Sequence, residues 1–133
     1  MKKFLILLVA LLIGFGGPSL SWSQSPGVVC SGISAQLAPY DSEKVTVADS
    51  AIGFTSAKIS PATGNIAVLA VVVTETSSIR YLDTGVNPTA TDGVPVDAGG
   101  VVPVCGRTAV TQFRMIRSGA VSATAQIIYY RAR

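Results

Sequence analysis

The chain has 133 residues, 49% of them hydrophobic and only 13% charged, with ten Lys and Arg against seven Asp and Glu, two cysteines and no histidine. Without histidine there is no Ser-His-Asp hydrolase triad, and two cysteines alone cannot complete a tetrahedral zinc set. A formal charge of +3 is too small to mark a nucleic-acid binder by itself.

The first segment reads as a processing signal. Lys2 and Lys3 precede an apolar run over residues 4–13, which Gly14, Gly16, Gly17 and Pro18 close. A bilayer-spanning helix needs roughly twenty apolar residues, so the run predicts a cleaved export signal over residues 1–23, with Ser21 and Ser23 flanking Trp22 at the cut. No stable membrane span is then expected, and an exported product follows: periplasmic, secreted or at a virion surface. The mature chain, residues 24–133, has single-domain length, with residues 24–43 expected as an N-terminal strand and loop packed on a sandwich of residues 44–133. Loss of Lys2 and Lys3 leaves eight cations against seven acids, and no nucleic-acid partner is expected. Arg107, Arg114, Arg117, Arg131 and Arg133 gather late in the chain; they read as solvated strand edges, the alternative being a local positive stripe.

Cys30 and Cys105 lie near opposite ends of the mature domain. In an oxidising compartment a single pair in a small exported chain predicts a disulfide, with two unpaired buried thiols as the alternative. A loop of this size corresponds to about 4 kcal/mol of loop-closure entropy.

Helical periodicity is nearly absent, and β-branched runs broken by Gly, Pro, Ser and Thr predict an all-β chain. Residues 28–34 are the first expected strand, carrying Cys30. Residues 37–43 read as a loop around Pro39 and Asp41. Strands follow over 44–48 and 52–59, with Gly53 marking a bulge or a close backbone approach. Pro61, Gly64 and Asn65 predict a turn leading into a hairpin. Residues 66–73 are apolar at every position, which predicts a central strand covered on both faces. A short strand is expected over 79–82, a bend-rich connection over 93–100, and further strands over 101–105 and 110–117. Ser118-Gly119-Ala120 predicts a turn. In the closing strand, 121–131, Val121, Ala123, Ala125, Ile127 and Tyr129 alternate with polar residues, so one face points inward. About eight short strands suggest a small two-sheet sandwich, immunoglobulin-like or jelly-roll-like.

The segment after strand 79–82 admits two readings. As turn chemistry, Asp83, Gly85, Pro88 and Thr89 build a bend in which Gly85 takes positive φ and Pro88 fixes the exit. As reagents, Asp83-Thr84-Gly85 behind two apolar residues is the local signature of an aspartic protease, whose dimer would bring two carboxylates together. Gly99-Gly100 lies at a spacing suited to that enzyme's flap, but no late apolar-apolar-Gly element follows. Asp41, Glu43, Asp83, Asp92 and Asp97 supply carboxylates for a glycosidase pair, and Asp83, Asp92 and Asp97 for calcium; solvated turn residues are the plainer reading. Tyr81, Phe113, Tyr129 and Tyr130 read as core, with a sugar-binding surface as the alternative.

Residues 79–89, Ile-Arg-Tyr-Leu-Asp-Thr-Gly-Val-Asn-Pro-Thr, resemble the Ile-Arg-Tyr-Thr-x-Asp-Gly-x-x-Pro-Thr strand and turn of immunoglobulin-like accessory domains on chitobiase-type glycosidases. Continued through Ala90-Thr91-Asp92-Gly93, Phe113-Arg114-Met115-Ile116-Arg117 and the closing Tyr129-Tyr130-Arg131, the pattern is similar to small bacteriophage virion-associated proteins. Thr84 before Gly85 departs from the Asp-Gly of both groups, and an export signal departs from cytoplasmic phage assembly. The resemblance implies a β-sandwich without catalytic residues or cofactors: a structural or attachment module, virion accessory in type, working as a homo-oligomer or on a virion or envelope protein. The alternative is an exported immunoglobulin-like module that binds carbohydrate or another envelope component, and the third is the dimeric protease.

Overall fold

The computed structural model describes Cys30 and residues 36–133. The export signal and most of the expected strand 28–34 lie outside the described residues.

Among the described residues seven strands form two antiparallel sheets. β1 (Leu37–Val47), β7 (Ala123–Ala132), β2 (Leu69–Thr74) and β5 (Val101–Cys105) make the larger sheet in the order β1-β7-β2-β5; β4 (Val94–Val96), β3 (Ile79–Leu82) and β6 (Arg114–Arg117) make the smaller in the order β4-β3-β6. The neighbour pairs β2–β5 and β3–β6 are those of the immunoglobulin arrangement. The last strand, however, lies between β1 and β2 instead of joining the third and sixth.

β7 shows why the sheets face each other. Ala123, Ala125, Ile127 and Tyr129 are fully buried while the residues between them are half-exposed, the period-two pattern of a strand with one face on the core. Val121 falls before the strand and is exposed. β2 is central, flanked by β7 and β5, as its continuous apolar run implies. Ala70 and Val72 point inward to meet Val102 and Val104 of β5, and from the smaller sheet Ile79 and Met115 enter the same core. An aromatic series bridges the layers: Tyr81 and Phe113 stack with centroids 5.3 Å apart, Phe113 and Phe54 at 4.6 Å, and Phe54 meets Tyr129 edge-on at 5.6 Å. Such pairs add about 0.5–1.5 kcal/mol beyond their buried area.

Five expectations are corrected. Residues 37–43 are strand, not loop: β1 pairs with β7 from Leu37 onward, and Pro39 and Asp41 sit at a register shift, where a bulge tolerates proline on an edge strand. β1 therefore runs unbroken across the boundary expected at residue 43. Residues 52–59 are not a strand; Ile52 makes one bridge to Met115, and Ser56–Ile59 is a helical turn, α1, that buries Ile59. Consequently the turn at 60–65, in which Gly64 takes φ +79°, closes no hairpin, and its flanks meet through a bond from Ala67 N–H to Ile59 C=O of 2.9 Å. Residues 110–117 are divided between helix α2 (Arg107–Gln112) and β6. Gly106 at φ +96° turns the chain from β5 into α2, and Val110 and Phe113 land on one buried side three residues apart. The bend-rich connection 93–100 contains β4. Gly53 matches the expected close approach: a Cβ there would lie 3.0 Å from the Phe113 carbonyl oxygen and 2.6 Å from Arg114 Nη1.

Candidate interaction surface

The turn expected to be diagnostic is built as a turn. Gly85 has φ +82° and its N–H donates to Gln112 C=O at 3.1 Å, fixing the loop to α2. Pro88 is buried. Thr89 N–H donates to Asp92 C=O at 3.1 Å, and Asp92 N–H returns a bond to Thr89 Oγ1 at 3.0 Å. Arg80 reaches across from β3, Nε to Ala90 C=O at 2.9 Å and Nη1 to Gly93 C=O at 2.8 Å. Asp83 is exposed on the loop's outer side, and its charge adds to burial in raising the Tyr81 phenol above its ordinary pKa. Gly99, at φ +82°, donates to Thr74 C=O and closes the link between β4 and β5.

The carboxylates do not converge on a metal: among the described residues no three of Asp, Glu, Cys and His come together. Asp41 and Glu43 are brought near Tyr129 by β1, since Asp41 pairs with Tyr129 and Glu43 with Ile127 across the β1–β7 ladder. Both are engaged. Lys58 Nζ donates to Asp41 Oδ1 at 2.7 Å, and this bond, with that from Ser42 N–H, holds the Asp41 carboxyl below its ordinary pKa. Glu43 accepts from the buried Tyr129 hydroxyl and from Thr55 N–H at 3.1 Å. Burial first, then Glu43, pushes the Tyr129 phenol far above its ordinary value. Tyr40 donates to Lys58 C=O at 2.6 Å. The cluster thus pins α1 against β1 and β7.

The aromatics that could have formed a sugar platform are internal. Tyr129 and Phe113 are fully buried, Tyr81 packs on the core, and Tyr130 alone lies on an outer face, half-buried. Arg114 and Arg117 serve neighbouring loops, Arg114 through Thr111 and Phe113 carbonyls and Arg117 through Ala120 C=O at 2.7 Å.

The outer face of the four-stranded sheet remains. Its rows follow from the registers: Lys44, Gln126, Val73 and Val101 in one, Ser42, Ile128, Val71 and Pro103 in the next, then Pro39, Tyr130, Leu69 and Cys105. The β1 side is polar, with Lys44 Nζ 2.6 Å from Glu75. Toward β5 the face is aliphatic: Val101 is 54% exposed, Pro103 is exposed, and Val71, Val73 and Ile128 are half-buried. The third row ends at the disulfide, where Cys30 joins Cys105 with Cα atoms 5.6 Å apart. Beside it Leu69 is 3% exposed.

No protein-family model, curated protein or solved structure matches this chain.

The sheet edges are closed by other means. The edge strands β1, β5 and β4 each contain a proline, Pro39, Pro103 and Pro95, which removes a ladder donor and blunts strand addition. β6 is capped by Ile52, whose N–H and C=O bond to Met115 at 2.9 and 2.8 Å, and by Ala48 C=O, which accepts from Arg117 N–H at 3.0 Å. Strand addition at these edges is therefore disfavoured. Among the described residues no helix is long and apolar enough to cross a membrane.

Proposed function

We propose that this protein is a non-enzymatic structural or attachment module, of the virion-accessory kind that residues 45–131 resemble, exported and working as a homo-oligomer through the outer face of its larger sheet. One observation carries the reading: β2 has the sequence of a strand covered on both sides, yet Val71 and Val73 face outward beside exposed Val101 and Pro103. Apolar area removed from water contributes about 25 cal/mol per Å², which favours covering those side chains. The patch is small. With strands about 4.8 Å apart and same-face residues about 6.7 Å apart along each strand, six positions project roughly 200 Å², against about 800 Å² per partner in a standard interface. Pairing is accordingly weak, and firm assembly comes from repetition on a lattice. The disulfide supports export, since such bonds persist in oxidising compartments.

Sedimentation of the mature protein over a concentration series tests this. The expected result is concentration-dependent self-association that Val101→Asp weakens at least tenfold without unfolding the domain. A strictly monomeric protein at millimolar concentration, or association indifferent to Val101→Asp, overturns it.

A further inference from the structure

The cations of the described residues divide into two groups. Lys44 and Lys58 are paired with Glu75 and Asp41, Arg117 lies 3.9 Å from Asp49, and Arg80 and Arg114 are spent on loop carbonyls. Arg107, Arg131 and Arg133 make no ion pair among the described residues. These three flank the segment between α1 and β2. On one side Arg131 and Arg133 line a groove of about 410 Å³ with Gly64, Asn65 and Ile66. On the other, Arg107 and Thr111 of α2 line a groove of about 260 Å³ with Ile59, Ser60 and Ile66. Ile66 belongs to both walls, and among the described residues no acidic side chain lines either groove. Asn65 accepts a bond from Arg131 Nη1, so that guanidinium is oriented while its remaining N–H groups stay available.

We propose that this end of the sandwich binds an acidic polysaccharide, with Arg107 and Arg131 gripping carboxylates on either side of the Ser60–Asn65 turn. Guanidinium groups match carboxylate geometry bidentately, and the Ser60 hydroxyl suits sugar hydroxyls, with the Thr111 hydroxyl oxygen, whose proton goes to Arg107 C=O, still able to accept from one. Single-stranded nucleic acid fits less well, because among the described residues no aromatic side chain lines either groove to stack a base. The inference deepens the attachment reading by naming what is attached to, and it uses a surface separate from the aliphatic face.

Binding of alginate, a polyuronate, is measured by titration calorimetry on the disulfide-bonded mature protein, beside neutral dextran and single-stranded DNA. Alginate is expected to bind, more weakly as salt rises, and dextran not at all. Arg107→Gln with Arg131→Gln should lower alginate affinity at least tenfold, while Lys44→Gln, a cation on the other face, should leave it unchanged. Thermal midpoints of all variants show whether the domain remains folded; if the double variant unfolds, Arg107→Gln alone should still lower affinity severalfold. No alginate binding, DNA binding as tight as alginate, or an equal loss in Lys44→Gln overturns the proposal. Sedimentation of the same double variant separates it from the assembly reading, because self-association should be retained whatever becomes of alginate binding.

Discussion

Thr74→Val should stabilise the protein. Thr74 closes β2 on its inward face opposite Ala125, is fully buried, and its hydroxyl oxygen has no hydrogen-bond partner among the described residues. Its backbone is already engaged, the N–H with Gly100 C=O at 2.9 Å and the C=O with Gly99 N–H at 2.6 Å, so the substitution touches the side chain alone. An unsatisfied buried hydroxyl costs about 1–3 kcal/mol, and valine presents nearly the same shape with a β-propensity at least as good. A gain of about 1–2 kcal/mol is expected, which for a domain of this size raises the thermal midpoint by roughly 5–15 °C. Urea unfolding of the disulfide-bonded protein measures it, with the midpoint rising at an unchanged slope. Thr74→Ser is the control, since it keeps the hydroxyl and loses a buried methyl, and it should destabilise by about 1 kcal/mol. If Thr74→Val is neutral or destabilising while its slope is unchanged, the hydroxyl has a partner and the reasoning fails.

Replacing Cys30 and Cys105 together by alanine should lower stability by about 4 kcal/mol, since the bridge closes a sequence separation of 75 residues; a loss below about 1 kcal/mol in urea unfolding would contradict the loop-entropy account. Glu43→Ala should cost about 1–3 kcal/mol by leaving the buried Tyr129 hydroxyl without its acceptor, and Glu43→Gln, which retains a carbonyl oxygen, should cost less than half as much. Two pH limits follow from the shifted groups. The Asp41 and Glu75 carboxyls lie below their ordinary values of 3.8 and 4.5, held there by Lys58 and Lys44, so the stability they lend is complete above about pH 4.5 and lost as pH falls through their folded values. Tyr129, Tyr40 and Tyr81 are raised above 10.0, chiefly by burial, so their contribution is complete below pH 10 and is lost as pH rises beyond it. Unfolding midpoints across pH 2–12 should show both limbs, and Tyr129→Phe should soften the alkaline one.

What could be read in advance was whatever period-two patterning or β-branching specifies. β7, β2, β3 and β5 are visible in residues 121–131, 66–73, 79–82 and 101–105 because each carries its pattern without help from elsewhere. The two helices were not visible because Ser56–Ile59 and Arg107–Gln112 are too short to repeat a period of 3.6 residues, and the β-branched content of residues 108–111 imitates a strand. Gly106 before a spaced Val110 and Phe113 was the available signal for α2. The start of β1 was hidden by Pro39 and Asp41, which suit a loop equally well; only the bulge against β7 and the Lys58 partner explain them in a strand. For the surface, the uninterrupted apolar run of β2 matched its central place in the larger sheet, while on the outer side Val71 and Val73 are only half-buried. That Val101 and Pro103 would extend that side depended on the β2–β5 register, which no local pattern encodes. The split of the arginines between loop carbonyls and the two grooves likewise needed the fold.

Copies of this protein are proposed to meet on the aliphatic outer face of the larger sheet. Methyl and amide NMR shifts recorded over a concentration series test it most directly. Shifts should move with concentration at Val71, Val73, Val101 and Ile128, with little change at Asp83, Val86 and Val94. Changes confined to the residue 83–93 loop or to β4, or none at any concentration, would contradict it.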